Sequence, residues 1–159
     1  MQQQELFVKL VLDSWNSHIS RTDSLFNTLT DEQLQNEVAP GRNRGIYLLG
    51  HLAAVHDRMV PLLGFGKTQF PQLEAPFITS PDKTVKDIPS AAELRGHWKE
   101  ANATLDKHFK SLQPGDWFLK HTSVSEEDFA KEPHRNRLNI IISRTNHLAN
   151  HLGQLLLLK

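Results

Sequence analysis

The sequence predicts an all-α protein, a four-helix bundle with long crossed connections. Three observations predict it. Apolar residues recur at three-, four- and seven-residue steps in four separate stretches, there is little strand-like alternation, and two of the joining segments exceed the usual helix connection. At least one of those segments can therefore cross the bundle instead of making a tight hairpin. The 159 residues suffice for one domain with a sizeable core, and positions 1–159 carry no second-domain signature.

The elements follow in order. From Glu5 to Thr28, the positions Val8, Leu12, Trp15, Ile19, Phe26 and Leu29 mark a long amphipathic helix with Thr22 in its stripe. Thr30 with Gln33 forms a capping-box pattern that opens a short helical segment, DEQLQNEV, stopped by Pro40 and Gly41. The second long helix runs from about Arg44 to Leu63, where Gly64 and Gly66 end it. Residues Phe65 to Pro89 hold four prolines and no long periodicity, a long connection. Ser90 and Glu93 make another capping-box pattern, and Leu94, Trp98, Ala101, Leu105, Phe109 and Leu112 continue a third long helix up to Pro114 and Gly115. After DWFLKHTSVSEEDFAKEPHRN, the fourth begins near Asn136 and continues nearly to Lys159, with terminal residues placed to fray. Neither a solenoid-period repeat nor a low-complexity segment is present.

Bulk properties exclude several function classes. Lys plus Arg equals Asp plus Glu at 18 each, and the sequence pI is about 7.1, so no global field favours nucleic acid or an anionic membrane. With no Cys there is no disulfide, thiolate ligand or cysteine nucleophile, and a transition-metal site must use His, carboxylates and water. MQQQELFVKLVLDSW lacks the layout of a signal peptide, and His, Arg, Asp or Gly interrupts every apolar run before it can span a bilayer. A soluble cytoplasmic protein is the expectation.

Nine His residues are scattered through the chain, so about 0.5 pairs at i,i+4 spacing are expected by chance, and placement has to add to spacing. It does at His147 and His151. On a helical wheel, Ile141, Thr145, Leu148, Leu152 and Leu155 form one apolar sector with both His at its rim, on a line shared with Ile140 and Leu158. Leu48, Leu49, Leu52, Val55, Met59 and Leu63 form the sector of the second helix, and His51 lies at its edge. Two helices thus offer imidazoles at equivalent rims, and i,i+4 spacing lets His147 and His151 close on one ion with His51 as the third ligand. The alternative is that each is a half-buried His bonded to a carbonyl or a neighbouring side chain.

LTDEQL after the first helix, GIYLLGHLAAVHDR on the second, PSAAELRGHW opening the third and NHLANHLGQL on the fourth occur in an order that resembles the DinB-like superfamily. That superfamily includes metal-dependent thiol transferases and YfiT-type hydrolases, and the resemblance covers nearly the whole chain. It implies a DinB/YfiT-like bundle with crossed connections, frequent homodimers, and a divalent metal held by one His on the second helix and two on the last. In this sequence those are His51, His147 and His151.

Three neutral imidazoles leave Zn²⁺ or Ni²⁺ with open positions, as catalytic sites require. Two reactions suit such a site: hydrolysis by an activated water, and S-transfer in which a low-molecular-weight thiol attacks a small-molecule electrophile as its thiolate. The absence of Cys fits the second, because the cosubstrate brings the sulfur. The competing reading is a non-catalytic binding or interaction module with a structural metal.

Tyr47 and Arg144 lie near the metal-facing line. Arg144 can bind a carboxylate or phosphate or simply snorkel, and Tyr47 can donate to a metal-bound group or form part of the rim. Gln154 can orient an imidazole or a water, and Gly153 can permit close helix approach. Glu126, Glu127 and Asp128 form either a general base folded over the mouth or, more simply, a solvated charge run. His56 points about 140° from His51 on a helix and makes a poor fourth ligand. His18, His97, His108, His121 and His134 lack ligand spacing, although His121 and His134 lie in a connection that can approach the site.

Overall fold

The computed structural model describes residues 3–159. Six α-helices follow one another: α1 (Gln3–Thr28), α2 (Asp31–Leu34), α3 (Gly45–Leu62), α4 (Ala91–Ser111), α5 (Glu126–Lys131) and α6 (Arg137–Leu155). The four long ones form the bundle. Helix α1 turns Val8, Trp15, Thr22, Leu25 and Phe26 inward, the stripe its spacing predicts.

Helix α2 is half the predicted length. Its capping box is present, but after Gln35 the chain bends into an isolated antiparallel bridge between Glu37 and Arg44, with Gly41 at φ +74° in the turn. Pro40 supplies no N–H, and a left-handed Gly41 fixes the turn, so the helix cannot continue through the loop. The capping box of α4 also forms, through Ser90 and Glu93.

The packing fixes the helix directions. The amino-terminal half of α3 (Leu48, Leu49, Leu52) shares one core cluster with the amino-terminal half of α4 (Leu94, Trp98), while Met59 and Leu63 share a second with Leu105 and Phe109. Helices α3 and α4 therefore run parallel. Helices α1 and α6 also run parallel, since Val8 and Trp15 sit with Leu138 and Ile141, and Leu25 and Phe26 with Leu148 and Leu152. The first pair is antiparallel to the second.

Parallel neighbours require the chain to return, so residues 63–90 run back along α3. Side chains of α3 fasten this return at successive levels. The Asp57 carboxylate accepts the N–H groups of Gln69 (2.8 Å) and Phe70 (2.9 Å). Further up the helix, His51 bonds the Phe77 carbonyl at 2.8 Å and the Tyr47 hydroxyl donates to the Ser80 carbonyl at 2.9 Å. At the top, Asp82 accepts the Arg44 backbone N–H and, at 2.7 Å, its guanidinium. Within the return lie a tight turn at Pro71–Leu73 and a wide, π-type turn at Ala75–Thr79. The sequence read these residues as aperiodic. Elements of three and five residues are too short to show a period.

The second long connection stays at one end. Thr122 closes the carboxyl terminus of α3, its N–H reaching the Leu62 carbonyl (3.0 Å) and its hydroxyl the Pro61 carbonyl (3.1 Å). The chain's last residues do not fray as expected: Leu156–Leu158 tighten into a 3₁₀ turn, Leu158 is buried, and Gln33 donates to its carbonyl at 3.2 Å. Among the described residues, no helix is long and apolar enough to cross a membrane.

Candidate metal centre

Antiparallel packing of α3 against α6 brings His51 level with the last turns of α6. There His51, His147 and His151 converge, one nitrogen from each lying within 4.8 Å of the others. The Nε2 atom of His147 stands 3.1 Å from Nε2 of His51 and 3.1 Å from Nε2 of His151. All three are half-buried.

Proton placement follows from the partners of the other ring nitrogens. A carbonyl can only accept, so His51 Nδ1 carries the hydrogen that it donates to Phe77 and Nε2 keeps its lone pair. His151 Nδ1 faces the Gln154 amide oxygen at 2.8 Å, with the same result. Two lone pairs thus point at His147 Nε2, and its single ring hydrogen can satisfy at most one of them well. Burial, together with His151, His51 and Arg144 nearby, depresses the basicity of His147 to a pKa of about 4, and burial lowers that of His51. Around neutral pH both of these rings are held without a proton to spare.

The donor set fits a divalent ion. Three nitrogens each about 2.0–2.1 Å from one tetrahedral ion would sit about 3.3 Å apart, close to the separations found. The N–H partners of His51 and His151 are the kind that orient metal-binding imidazoles. His147 differs, for its Nδ1 is buried and unpartnered among the described residues.

The close approach of the return segment depends on Gly50. A Cβ there would meet the Phe77 ring at 2.4 Å, so only glycine lets the π-type turn close on α3 and present its carbonyl to His51. Gly153, the glycine expected to bring helices together, has nothing within 4 Å of its would-be Cβ. That expectation is corrected: the glycines in tight contact are Gly50 and Gly45, where a Cβ would lie 2.5 Å from Leu158.

The other sequence candidates separate clearly. Tyr47 gives its hydroxyl to Ser80 and lays its ring parallel to that of His51, centroids 6.2 Å apart, so it packs against that imidazole and its hydroxyl is already engaged. Gln154 orients His151. His56 is fully buried between Trp15 and Trp98 and bonded to Asn102, and it is not part of the converging three-His group. His121 bonds Ser123, and His134 is exposed. Glu126, Glu127 and Asp128 form the exposed first turn of α5, with Glu126 against Lys120 and Glu127 against Lys131, which is the solvated charge run. The Phe77 carbonyl was invisible in the sequence, because a backbone acceptor has no residue letter.

A cavity of about 460 Å³ opens beside the triad, lined by His51 and His147, by the apolar side chains of Val55, Leu62, Ile78 and Ile140, and by Arg58, Ser123 and Arg144. That size suits a small molecule. The cavity lining contains no carboxylate.

None of the curated proteins matches this chain. The model of the DinB superfamily matches residues 15–155, a span that takes in α3, α4, α6 and all three converging imidazoles, and the chain belongs to that superfamily.

Proposed function

We propose that this protein is a metal-dependent enzyme acting on a small molecule, with His51, His147 and His151 holding a divalent ion, zinc or nickel. One observation carries the reading: His147 Nε2 lies 3.1 Å from the Nε2 atoms of both His51 and His151, at the edge of an open cavity. A structural zinc site closes its coordination with four protein ligands, whereas this group has three.

When bound, such an ion supplies Lewis acidity that lowers the pKa of a coordinated thiol or water. The chain's residues hold the imidazoles in place through Phe77 and Gln154, line the cavity with apolar side chains, and set two guanidinium groups beside it. With no carboxylate in the lining, no protein base stands ready for the nucleophile. That favours S-transfer from a low-molecular-weight thiol, whose pKa of about 8.5 needs little lowering, over hydrolysis, where water starts near 15.7. We place the protein in the cytoplasm, where such thiols are kept reduced.

Metal content by elemental mass spectrometry, on untagged protein prepared without chelator, tests this first. We expect near-stoichiometric metal in the wild type and its loss from folded His51→Ala and His147→Ala. Metal retained by both variants, or none taken up after Zn²⁺ or Ni²⁺ is added, would defeat the reading. Paired assays of thiol consumption and hydrolysis then separate the two reactions.

The proposal includes a homodimer. Leu6, Phe7 and Leu10 of α1 and Ile142 of α6 are large apolar residues left exposed, and Leu10 and Ile142 line a shared groove. Sedimentation should give twice the chain mass for the wild type and a monomer for Leu10→Lys.

A further inference from the structure

The cavity beside the triad has an electrostatic character that the metal reading does not require. Arg144 is half-buried on α6, its Nε is enclosed without a partner, and none of its nitrogens lies within ion-pairing distance of a carboxylate among the described residues. Arg58, one helix away on the same cavity, makes only a long contact to Glu74 (3.6 Å) at an exposed site. Burial and the neighbouring Arg58 charge both make it harder for Arg144 to hold its proton. Two like charges thus face one cavity with one peripheral carboxylate between them, an arrangement that costs stability in the free protein.

A divalent ion on the triad would add two more positive charges to the same space. Nothing among the residues that line the cavity offsets them. A ligand that fills this space without a negative charge leaves the guanidinium donors desolvated and unpaired. One that carries an oxyanion satisfies them through charge-assisted hydrogen bonds, for which the planar guanidinium is well shaped. Ser123 adds a hydroxyl on the same wall.

We propose that the cavity is an anion subsite: Arg144 and Arg58 bind the carboxylate or phosphoryl oxyanion of the small substrate, while its apolar body lies on Val55, Leu62, Ile78 and Ile140. The assignment of that ligand as substrate rests on the enzyme reading above; the subsite itself does not need the metal. The substrate class is therefore a small amphiphilic anion, its reactive atom turned toward the triad.

Titration calorimetry with hexanoate, acetate, inorganic phosphate and the neutral hexan-1-ol tests this, on zinc-loaded and on metal-free protein, each as wild type, Arg144→Gln and Arg58→Gln. We expect hexanoate to bind more tightly than acetate, hexan-1-ol to bind at least tenfold more weakly than hexanoate, and Arg144→Gln to lose tenfold or more toward both anions with its zinc content unchanged. Acetate above phosphate, neither of which has an apolar tail, would assign a carboxylate; the reverse order would assign a phosphoryl group. Because Arg144→Gln removes an unpaired charge, its unliganded form should melt about 2–4 °C higher than the wild type. A variant that binds anions as well as the wild type, or a wild type that binds none, would overturn the subsite. Full zinc uptake with Arg-independent anion binding would sink the subsite and leave the metal reading intact. Arg-dependent binding by a protein that takes up no metal would do the opposite.

Discussion

Single atoms decide what the triad can do. The Phe77 carbonyl and the Gln154 amide oxygen each hold an Nδ1 hydrogen, and so aim two Nε2 lone pairs at a third ring. Gln154→Leu removes one of these orienting bonds without touching a ligand. Competition with a zinc-chelating dye should show zinc affinity falling about tenfold in that variant, with an unchanged far-ultraviolet spectrum. His56 answers to the same physics in a drier place. Its burial between two indole rings pushes its pKa down to about 3, so the folded protein refuses a proton that the unfolded chain accepts below about pH 6.5. The folded state therefore keeps this contribution above pH 6.5 and loses it as pH falls toward 3, by up to about 1.4 kcal/mol per pH unit. Urea midpoints measured between pH 7.5 and 5 should decline, and His56→Gln should flatten the decline. The three converging imidazoles were legible in the sequence because i,i+4 spacing and apolar rims are properties of side chains. The role of Tyr47 was not, since its hydroxyl is claimed by a carbonyl 33 residues away.

Helix ends and the return segment set the precision of the site. The caps at Thr30 and Ser90 were readable because a capping box needs two particular side chains three residues apart, each accepting the backbone N–H of the other. Ser90→Ala should cost about 1 kcal/mol in chemical denaturation, through the orphaned first-turn N–H groups of α4. Gly50 carries a heavier constraint. In Gly50→Ala the new methyl group meets the Phe77 ring, which must move and take its carbonyl with it. Overpacking of this kind should cost about 1–3 kcal/mol and lower zinc affinity together with stability, against the usual gain from Gly to Ala inside a helix. The sequence held a hint here, since a glycine in a helix interior suggests close approach of another segment. Nothing in it named Phe77 as the neighbour, because an aperiodic, proline-rich stretch does not reveal its register along a helix.

At the scale of the molecule, four amphipathic stripes and two over-long connections foretold a bundle with a crossing. They did not say which pairs would be parallel, since an apolar stripe is blind to the direction of its partner. A metal that binds the folded chain alone stabilises it by about 2.7 kcal/mol at a hundredfold excess over Kd, which for a chain of this size raises the melting temperature by about 5–11 °C. Scanning calorimetry with and without Zn²⁺ should show that rise, and His147→Ala should show none. The fastening of the return segment along α3 also sets a time order. His51 and Phe77 are 26 residues apart, and His51 and His147 are 96 apart, so the local contact can close while the last helix is still being synthesised. The His51–Phe77 contact is thus open to a nascent chain before the other two imidazoles exist, whereas a metal held by all three would have to wait for α6 to dock. On the proposed three-imidazole site, metal occupancy would report completed assembly: a truncated or misdocked chain would keep one oriented imidazole and capture little.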